Sequence, residues 1–302
     1  MRVAITGSSG LIGSALVTSL ENDGHTVVRV VRRAPSGAHE ARWDPDGGTI
    51  DAAALEGLDA VVHLAGEGIG EKRWTPAQKQ RIRDSRVLGT TLLAETLAGL
   101  SQKPQVLVSG SAIGWYGLRG DEVLTEHSTP GSGFLAEVSR AWEDATAAAE
   151  AAAIRVVHLR TGIVLAAKGG SMGRLLPLFK LGLGGKIGRG DQWWSWVTLD
   201  DEVGLIRHAI ATPDVRGPMN ATAPNPARNA DITRALGAAL HRPTFLSVPK
   251  FALGIALGHD LAEEVALAGQ RVLPEVATST GYQFHHPDLD TAIPAVVGRA
   301  VA

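Results

Sequence analysis

The stretch TGSSGLIG, residues 6–13, decides the fold of this chain. It spaces three glycines as Gly7-x-x-Gly10-x-x-Gly13 between a short apolar run and a segment with helical periodicity, residues 11–22. In such a unit the first glycine makes the tight turn, the second lets a pyrophosphate approach the backbone, and the third lets the helix pack on the sheet. The helix N-terminus adds unpaired N–H groups and a partial positive charge. The pattern therefore predicts a Rossmann-type dinucleotide site.

Strand-like and helix-like segments alternate through the first two-thirds of the chain, which is typical of an α/β doubly wound parallel sheet. We expect a Rossmann domain over residues 1–165, with a later strand and helix returning to it near 195–215. Residues 166–302 are expected to form a smaller C-terminal α/β region on the substrate side. The predicted strands cover 3–5, 26–31, 60–64, 106–109 and 155–159, and the predicted helices cover 11–22, 76–100 and 134–153.

Composition excludes several classes of protein. The 302 residues include no cysteine, so disulfide frameworks, cysteine nucleophiles and thiolate metal sites are excluded. The formal net charge of −2 and the lack of a basic stripe argue against a nucleic-acid partner. No apolar run approaches the ~18 residues of a spanning helix, and the N-terminus lacks a signal peptide, so we expect a cytoplasmic protein without a membrane partner.

The only cluster of histidine and aspartate lies near the C-terminus, in His285-His286 with Asp288 and Asp290. Its spacing fits no defined metal geometry. A solvated tail is the expected structure, and no metal site is predicted.

The end of the second predicted strand discriminates between NAD and NADP. An acidic residue there would hydrogen-bond the ribose 2′-hydroxyl, whereas arginine accommodates a 2′-phosphate. This chain has Arg32 and Arg33 directly after Val31, and no carboxylate until Glu40. Two guanidiniums can hold a phosphate dianion with paired hydrogen bonds. We predict NADP(H), the alternative being two solvated arginines.

Further motifs give the chain a resemblance to a known family. TGSSGLIG and HLAG, residues 63–66, are similar to the short-chain dehydrogenase/reductase superfamily, in its extended or atypical branch. The longer succession resembles the NAD-dependent epimerase/dehydratase-like proteins, called epimerase family proteins, that end in a small domain of unknown function. That succession comprises RWTPAQKQRIRDSRVLGT (73–90), SAIGWYG (111–117), LRTGIVL (159–165), GLGG and GRGDQWWSWVTLDD within 182–201, and GQRVLP (269–274).

The resemblance implies an NADP-binding fold and a set of residues around the cofactor. Arg32 and Arg33 would meet the 2′-phosphate, and Ser85 with Arg86 would face the cofactor from the long helix. The residues that would surround the pyrophosphate are Gly7, Ser9, Gly10, Leu11, Ile12 and Gly13, and those that would line the cofactor are Leu64, Ala65, Gly66 and Glu67.

Active members of the superfamily use a Tyr-x-x-x-Lys pair, in which the lysine lowers the tyrosine pKa so that it can pass a proton. The corresponding helix here has Phe134 or Leu135 near the tyrosine position and Ser139 near the lysine position. Ser111 lies where the assisting serine would be, and it is our candidate catalytic residue; a turn-capping role is the alternative. Other conceivable proton carriers are Tyr116, Glu137, Lys180 and Lys186.

Two functions from different classes follow. The first is an NADP-dependent oxidoreductase or nucleotide-sugar-epimerase-like enzyme, acting on a small molecule such as a sugar nucleotide or a carbonyl compound. The second is a catalytically silent NADP(H)-binding sensor or scaffold, which the missing tyrosine–lysine pair favours. A homodimer formed through the helices at 76–100 and 134–153 is expected by analogy with relatives.

Overall fold

Alternating strands and helices build one large sheet and a smaller C-terminal unit. The computed structural model describes residues 1–301. The strands are β1 (Arg2–Thr6), β2 (Thr26–Val31), β3 (Glu40–Asp44), β4 (Thr49–Ile50), β5 (Ala60–His63), β6 (Val106–Ala112), β7 (Val123–Leu124), β8 (Arg155–Thr161), β9 (Ile163–Leu165), β10 (Gly185–Ile187), β11 (Trp193–Trp194), β12 (Trp196–Thr198), β13 (Gly217–Ala221), β14 (Ala227–Arg228), β15 (Leu246–Val248) and β16 (Arg271–Val272). The helices are α1 (Leu11–Asn22), α2 (Pro76–Gly99), α3 (Phe134–Asp144), α4 (Ala147–Ala151), α5 (Gly170–Lys180), α6 (Leu199–Ala211), α7 (Asn229–Leu240), α8 (Lys250–Leu257), α9 (His259–Leu261), α10 (Glu275–Ser279) and α11 (Leu289–Val301).

The large sheet has the strand order β13-β8-β6-β5-β1-β2-β3-β4. Its neighbours are parallel except β4, which runs antiparallel to β3. The chain moves outward in one direction from β1 to β2 and β3, and in the other from β5 to β6 and β8. This reversal creates a crevice at the carboxyl ends of β1 and β5, where doubly wound sheets bind ligands. The predicted Rossmann-type fold is confirmed.

Helices cover both faces of the sheet because the central strands are apolar on both sides. Val3 and Ile5 of β1 join a buried cluster with residues of α1 and α6, whereas Ala4 joins a second cluster with residues of α2 and α4. Successive side chains of a strand point to opposite faces, so three consecutive apolar residues serve two cores. The helix α6 and the edge strand β13 return to the large sheet after the glycine-rich segment.

A third buried cluster organises the C-terminal unit. It brings together apolar faces of α5, α7 and α11 with Trp194 and Trp196, which are 6% and 0% exposed. The expected solvated tail is wrong. The backbone N–H groups of His285 and His286 donate to the buried carboxylate of Asp201 at 2.8 and 3.0 Å, and α11 follows.

Two predicted elements have different bounds in the structure. The helix expected over 134–153 is two helices, and between them the Thr146 hydroxyl donates to the Glu143 carbonyl and hydrogen-bonds His158. Such bonds compete with a continuing helix. The strand expected to end at Ser109 continues to Ala112 because β8 pairs with its whole length.

Among the helices within residues 1–301, none has the length and apolarity needed to cross a membrane.

Candidate functional site

The glycine turn between β1 and α1 approaches β5 too closely for any side chain. Gly7 has a φ of +66°, and a Cβ built there would lie 2.8 Å from the carbonyl carbon of Leu64. A Cβ at Gly13 would lie 2.2 Å from the Gly7 oxygen. Gly10 is the N-cap of α1 and provides no side-chain cap. The first N–H groups of α1 are therefore directed at the crevice without a capping side chain, as a phosphate site requires.

A buried hydroxyl joins this turn to the end of β5. Thr6 Oγ1 accepts hydrogen bonds from the N–H groups of Leu64 and Ala65 at 3.1 and 3.2 Å, and it lies 2.7 Å from His63 Nδ1. His63 is fully buried, and this burial, aided by the charge of Arg86, lowers the pKa of His63 to about 4. A neutral imidazole therefore supports the segment Leu64-Ala65-Gly66 beside the glycine turn. Sequence reasoning assigned no role to His63 and missed Thr6, whose place directly before Gly7 was the available signal.

The long helix α2 holds the next part of the same loop. Ser85 Oγ accepts from the Glu67 N–H at 3.0 Å, and Arg86 Nη1 donates to the Glu67 carbonyl at 3.0 Å. The Glu67 carboxylate accepts from Gln78 Nε2 and lies 3.7 Å from Lys72 Nζ. The structure thus brings Ser85 and Arg86 next to Gly66 and Glu67.

The two arginines after β2 have different environments. Arg33 forms a bidentate ion pair with Glu40, which also accepts from the N–H and the hydroxyl of Ser36. Arg33, followed by the Ser36 N–H, lowers the pKa of Glu40 to about 2. Arg32 is exposed. Glu40 is seven residues from Arg33 and begins β3 opposite Arg29, so the loop between the two strands folds back to place Arg33 and Ser36 on its carboxylate.

A narrow cavity of about 180 Å³ opens near the carboxyl ends of β6 and β8. Its lining is mostly apolar and includes Ser139, near the expected lysine position, and Leu135, which with Phe134 was one of the two candidates for the tyrosine position. The remaining lining residues are Ile69, Ile82, Arg86, Ala112, Ile113, Gly114, Val138, Trp142, Thr161, Gly162, Ile163, Trp193, Ser195, Glu264, Val265, Ala268 and Gln270.

Neither tyrosine of the chain lines this cavity. Tyr116 is buried, donates to Asn220 Oδ1 at 2.7 Å and accepts from Arg160. Burial raises the pKa of Tyr116 above its ordinary value. The Tyr282 hydroxyl hydrogen-bonds to the carbonyl oxygen and to the carboxylate of Asp201, in the first turn of α6. The structure therefore assigns both tyrosines to the packed interior rather than to proton transfer in the cavity.

Ser111 is directed into a buried ion pair rather than into the cavity. Its hydroxyl donates to Glu143 Oε1 at 2.6 Å, and the same carboxylate accepts two hydrogen bonds of 2.8 Å from Arg160. The Arg160 guanidinium also stacks 3.6 Å from the centroid of the Trp115 ring. The neighbouring Ala112 lines the cavity, but Ser111 does not. Ser111 thus contributes to the scaffold behind the cavity wall.

The C-terminal unit closes the cavity with residues that sequence reasoning missed. The Glu264 carboxylate accepts from the N–H groups of Phe134 and Leu135 at 3.2 and 2.9 Å, which caps α3 from 130 residues away. Trp193 also lines the cavity, and the guanidiniums of Arg228 and Arg271 lie 4.5 and 4.7 Å from the centroid of its ring. No local pattern marked Glu264, because its partners are far away in sequence.

Among the described residues, no three His, Asp or Glu side chains form a group that could hold a metal ion.

The parallel sheet, the glycine turn and the crevice define the class: a Rossmann-type nucleotide-binding protein of the short-chain dehydrogenase/reductase type. The chain belongs to the NAD dependent epimerase/dehydratase family, which residues 3–221 match. Residues 248–296 match a domain of unknown function, DUF1731.

Several relatives match nearly the whole chain. An epimerase family protein of Mycobacterium bovis is 45% identical over 291 residues, 96% of each chain. The crystal structure of the human epimerase family protein SDR39U1 with NADPH has a TM-score of 0.88 at 34% identity, covering 99% of both chains. A Corynebacterium glutamicum structure, described as a nucleoside-diphosphate sugar epimerase, has a TM-score of 0.82 at 40% identity and covers 99% of this chain and 58% of that one.

Proposed function

We propose that this protein binds NADP(H) in the crevice and is an oxidoreductase that acts on a small carbonyl compound. The observation that carries the proposal is the arrangement at one edge of the sheet. The uncapped N-terminus of α1, the exposed Arg32 and the apolar cavity follow the carboxyl ends of parallel strands of one sheet. That edge is where doubly wound sheets bind dinucleotides. Residues 1–165 would hold the cofactor, and residues 166–302 would complete the substrate side.

The cofactor would extend from the arginine corner across the glycine turn to the cavity. Backbone groups of the turn would bind the pyrophosphate, the loop after β5 would line the riboses, and Ser85 and Arg86 would support that loop. The residues proposed for the turn are Gly7, Ser9, Gly10, Leu11, Ile12 and Gly13, and those for the loop are Leu64, Ala65, Gly66 and Glu67.

A preference for NADP(H) rests on the charge at the end of β2. Arg32 is exposed and Arg33 is held by Glu40, so we assign the direct contact with the 2′-phosphate to Arg32 first. Arg33 retains more than half of its side-chain exposure, at 58%, and can add a second donor. The presence of NADPH in the structure of the human relative supports this choice.

The size of the cavity favours a small substrate. Pockets for drug-sized ligands measure roughly 300–1,000 Å³, whereas this cavity measures about 180 Å³. When bound, NADPH supplies a hydride. The apolar lining would exclude water from the hydride-transfer position, and the few polar groups would orient a carbonyl oxygen. A sugar nucleotide, which the description of the Corynebacterium relative suggests, would need more room than this cavity offers.

The test is a titration of the purified protein with NADPH and with NADH, followed by tryptophan fluorescence. We expect selective binding of NADPH, and binding of neither cofactor would reject the proposal. Carbonyl compounds and nucleotide sugars are then added to the NADPH complex while oxidation of the cofactor is measured. Oxidation by a small carbonyl compound supports the oxidoreductase. Binding without oxidation by any compound favours the sensor or scaffold, which the replacement of tyrosine and lysine by Leu135 and Ser139 also favours.

A further inference from the structure

Exposed apolar side chains are concentrated on two segments of the C-terminal unit, residues 178–189 and 242–255, which we call the apolar face. Among the described residues, seven large apolar side chains are more than half exposed, and five of them belong to this face. Phe245 and Phe251 are 80% and 72% exposed, and the other three are Leu181, Leu183 and Ile255. Single exposed apolar residues are ordinary, but a concentration of them marks an interaction site.

The two segments of the apolar face are held against each other by the backbone. The strands β10 and β15, one from each segment, pair in parallel. Arg242 Nε donates to the Lys180 carbonyl at 2.8 Å. A Cβ built on Gly188 would lie 3.3 Å from the side chain of Lys250, the first residue of α8. The exposed side chains therefore belong to one continuous surface.

Every charged side chain of the apolar face is basic. The face contains no aspartate or glutamate, and its cations are Lys180, Lys186, Arg189, Arg242 and Lys250. Arg189 is paired with Asp191, whereas Lys186, Arg242 and Lys250 are exposed and form no ion pair with a residue that the structure describes. The acidic Glu263 shares a groove with Phe251 at the edge of the face. Although the whole chain has a net charge of −2, this part of its surface attracts anions.

The charge of the apolar face discriminates between its potential occupants. In a two-fold dimer the same patch occurs on both subunits, so a second copy would bring these cations against like charges. A bilayer with anionic lipids offers phosphates to the cations and an apolar layer to the phenylalanines. Exposed aromatic and aliphatic side chains among lysines and arginines are typical of segments that bind at the surface of such a bilayer.

We propose that the apolar face binds the surface of a bilayer that contains anionic lipids. Phe245 and Phe251 enter the headgroup region, and Lys186, Arg242 and Lys250 contact lipid phosphates. The absence of a spanning segment led us to expect no membrane partner, but a contact with the bilayer surface needs none. The inference is independent of the proposed function, because no residue assigned to the cofactor belongs to this face.

Vesicle binding by the whole purified chain tests the proposal. Cosedimentation is measured with vesicles of equal parts phosphatidylcholine and phosphatidylglycerol, and with vesicles of phosphatidylcholine alone. We expect the protein to bind the mixed vesicles and to bind much more weakly when phosphatidylglycerol is left out. Binding to the mixed vesicles should also fall as salt is added, because salt screens the attraction between exposed charges.

Two double variants separate the apolar contribution from the charged one. Phe245→Ser with Phe251→Ser should weaken binding to the mixed vesicles at least tenfold, since the burial of one phenylalanine is worth roughly a factor of ten or more. Lys186→Gln with Lys250→Gln should weaken it roughly tenfold to thirtyfold, because each cation near an anionic bilayer contributes a factor of about five. The lysine variant should also depend less on salt.

The matched controls replace side chains that are exposed elsewhere on the protein. Leu118→Ser is the control for the phenylalanines, and Arg83→Gln with Arg216→Gln is the control for the lysines. These variants should bind the mixed vesicles as the unmutated protein does. Urea unfolding should be the same for all the variants, because every replaced side chain is exposed.

Several outcomes would overturn the proposal. Failure to bind the mixed vesicles would reject the lipid surface in favour of an acidic protein, and equal binding to both kinds of vesicle would reject the anionic lipid. Unchanged binding in both double variants would place the membrane contact on another part of the surface. A dimer, detected by light scattering, that dissociates in the phenylalanine variant would mean that a second copy covers the apolar face instead.

Discussion

Thr6 Oγ1 lies 2.7 Å from His63 Nδ1, and this contact joins the carboxyl ends of β1 and β5. The hydroxyl already accepts two backbone hydrogen bonds, from Leu64 and Ala65, so its single proton is donated to Nδ1. The imidazole must then carry its own proton on Nε2, which is buried without a hydrogen-bond partner in the described part of the chain. The two loops that would hold the cofactor are thus fixed to each other by one hydroxyl.

The first prediction concerns this hydroxyl. Thr6→Val keeps the shape of the side chain but leaves the Ala65 N–H and the buried His63 Nδ1 without a partner, and it leaves the Leu64 N–H with only its bond to the Thr6 carbonyl. An unsatisfied buried polar group costs about 1–3 kcal/mol, so we expect the free energy of unfolding, measured in urea, to fall by at least that amount. NADPH affinity should also fall, because the loop after β5 loses its anchor. Thr6→Ser, which keeps the oxygen, should retain most of the unfolding free energy and most of the NADPH affinity. Similar losses in the serine and valine variants would show that the methyl group matters instead.

The second prediction separates the two arginines at the end of β2. Arg32→Ala should weaken NADPH binding by roughly tenfold to a hundredfold, since charge-assisted hydrogen bonds to a phosphate are worth about 1.5–3 kcal/mol. NADH binding should change little. Arg33→Ala should have a smaller effect on NADPH, because this guanidinium is shared with Glu40.

A third variant, Glu40→Gln, tests whether Arg33 takes part in binding NADPH. It removes the competing carboxylate and should raise NADPH affinity if Arg33 takes part in binding. Fluorescence titrations with both cofactors measure all three variants. An equal loss of NADPH and NADH affinity in Arg32→Ala would contradict the assignment of the 2′-phosphate.

The large sheet and the glycine turn were predictable because their determinants are local. The periodicity of residues 11–22 and 26–31 gave the bounds of α1 and β2 correctly, and the glycine spacing predicted the tight turn at Gly7 and the close packing at Gly13. The surroundings of the cavity were not predictable, since Glu264 reaches α3 from the C-terminal unit and Ser111 turns to the buried pair of Glu143 and Arg160. Such contacts depend on tertiary packing and leave no periodic pattern in the sequence.

The third prediction concerns Ser111, which donates to Glu143 in the buried pair with Arg160. Ser111→Ala removes one hydrogen bond while the two bonds from Arg160 remain, so we expect a loss of about 1 kcal/mol in unfolding free energy and unchanged NADPH affinity. Glu143→Ala leaves Arg160 buried without its counterion and should cost about 3–5 kcal/mol. Both losses are measured by denaturant unfolding. Abolished turnover in a fully stable Ser111→Ala variant would contradict the scaffold role and return Ser111 to direct contact with the substrate.

The last prediction concerns Glu202 in the first turn of α6. Its side chain is fully buried, Oε1 accepts from the Thr161 hydroxyl at 2.8 Å, and Oε2 has no hydrogen-bond partner among the described residues. Burial raises the pKa of Glu202 from 4.5 to about 8, only partly opposed by the bond from Thr161. The carboxyl group is therefore protonated in the folded protein at neutral pH but ionised in the unfolded chain.

Because the folded state binds the extra proton between pH 4.5 and about 8, raising the pH through this range destabilises the protein. The contribution of Glu202 is fully present below 4.5 and is lost as the pH rises through about 8. Glu202→Gln is neutral at every pH, so its free energy of unfolding relative to the unmutated protein should increase with pH, by up to ~1.4 kcal/mol per pH unit. Urea unfolding at several pH values across this range measures the difference. The exposed Glu137→Gln serves as the control and should run parallel to the unmutated protein; a parallel curve for Glu202→Gln would mean that this buried carboxyl is ionised in the folded state.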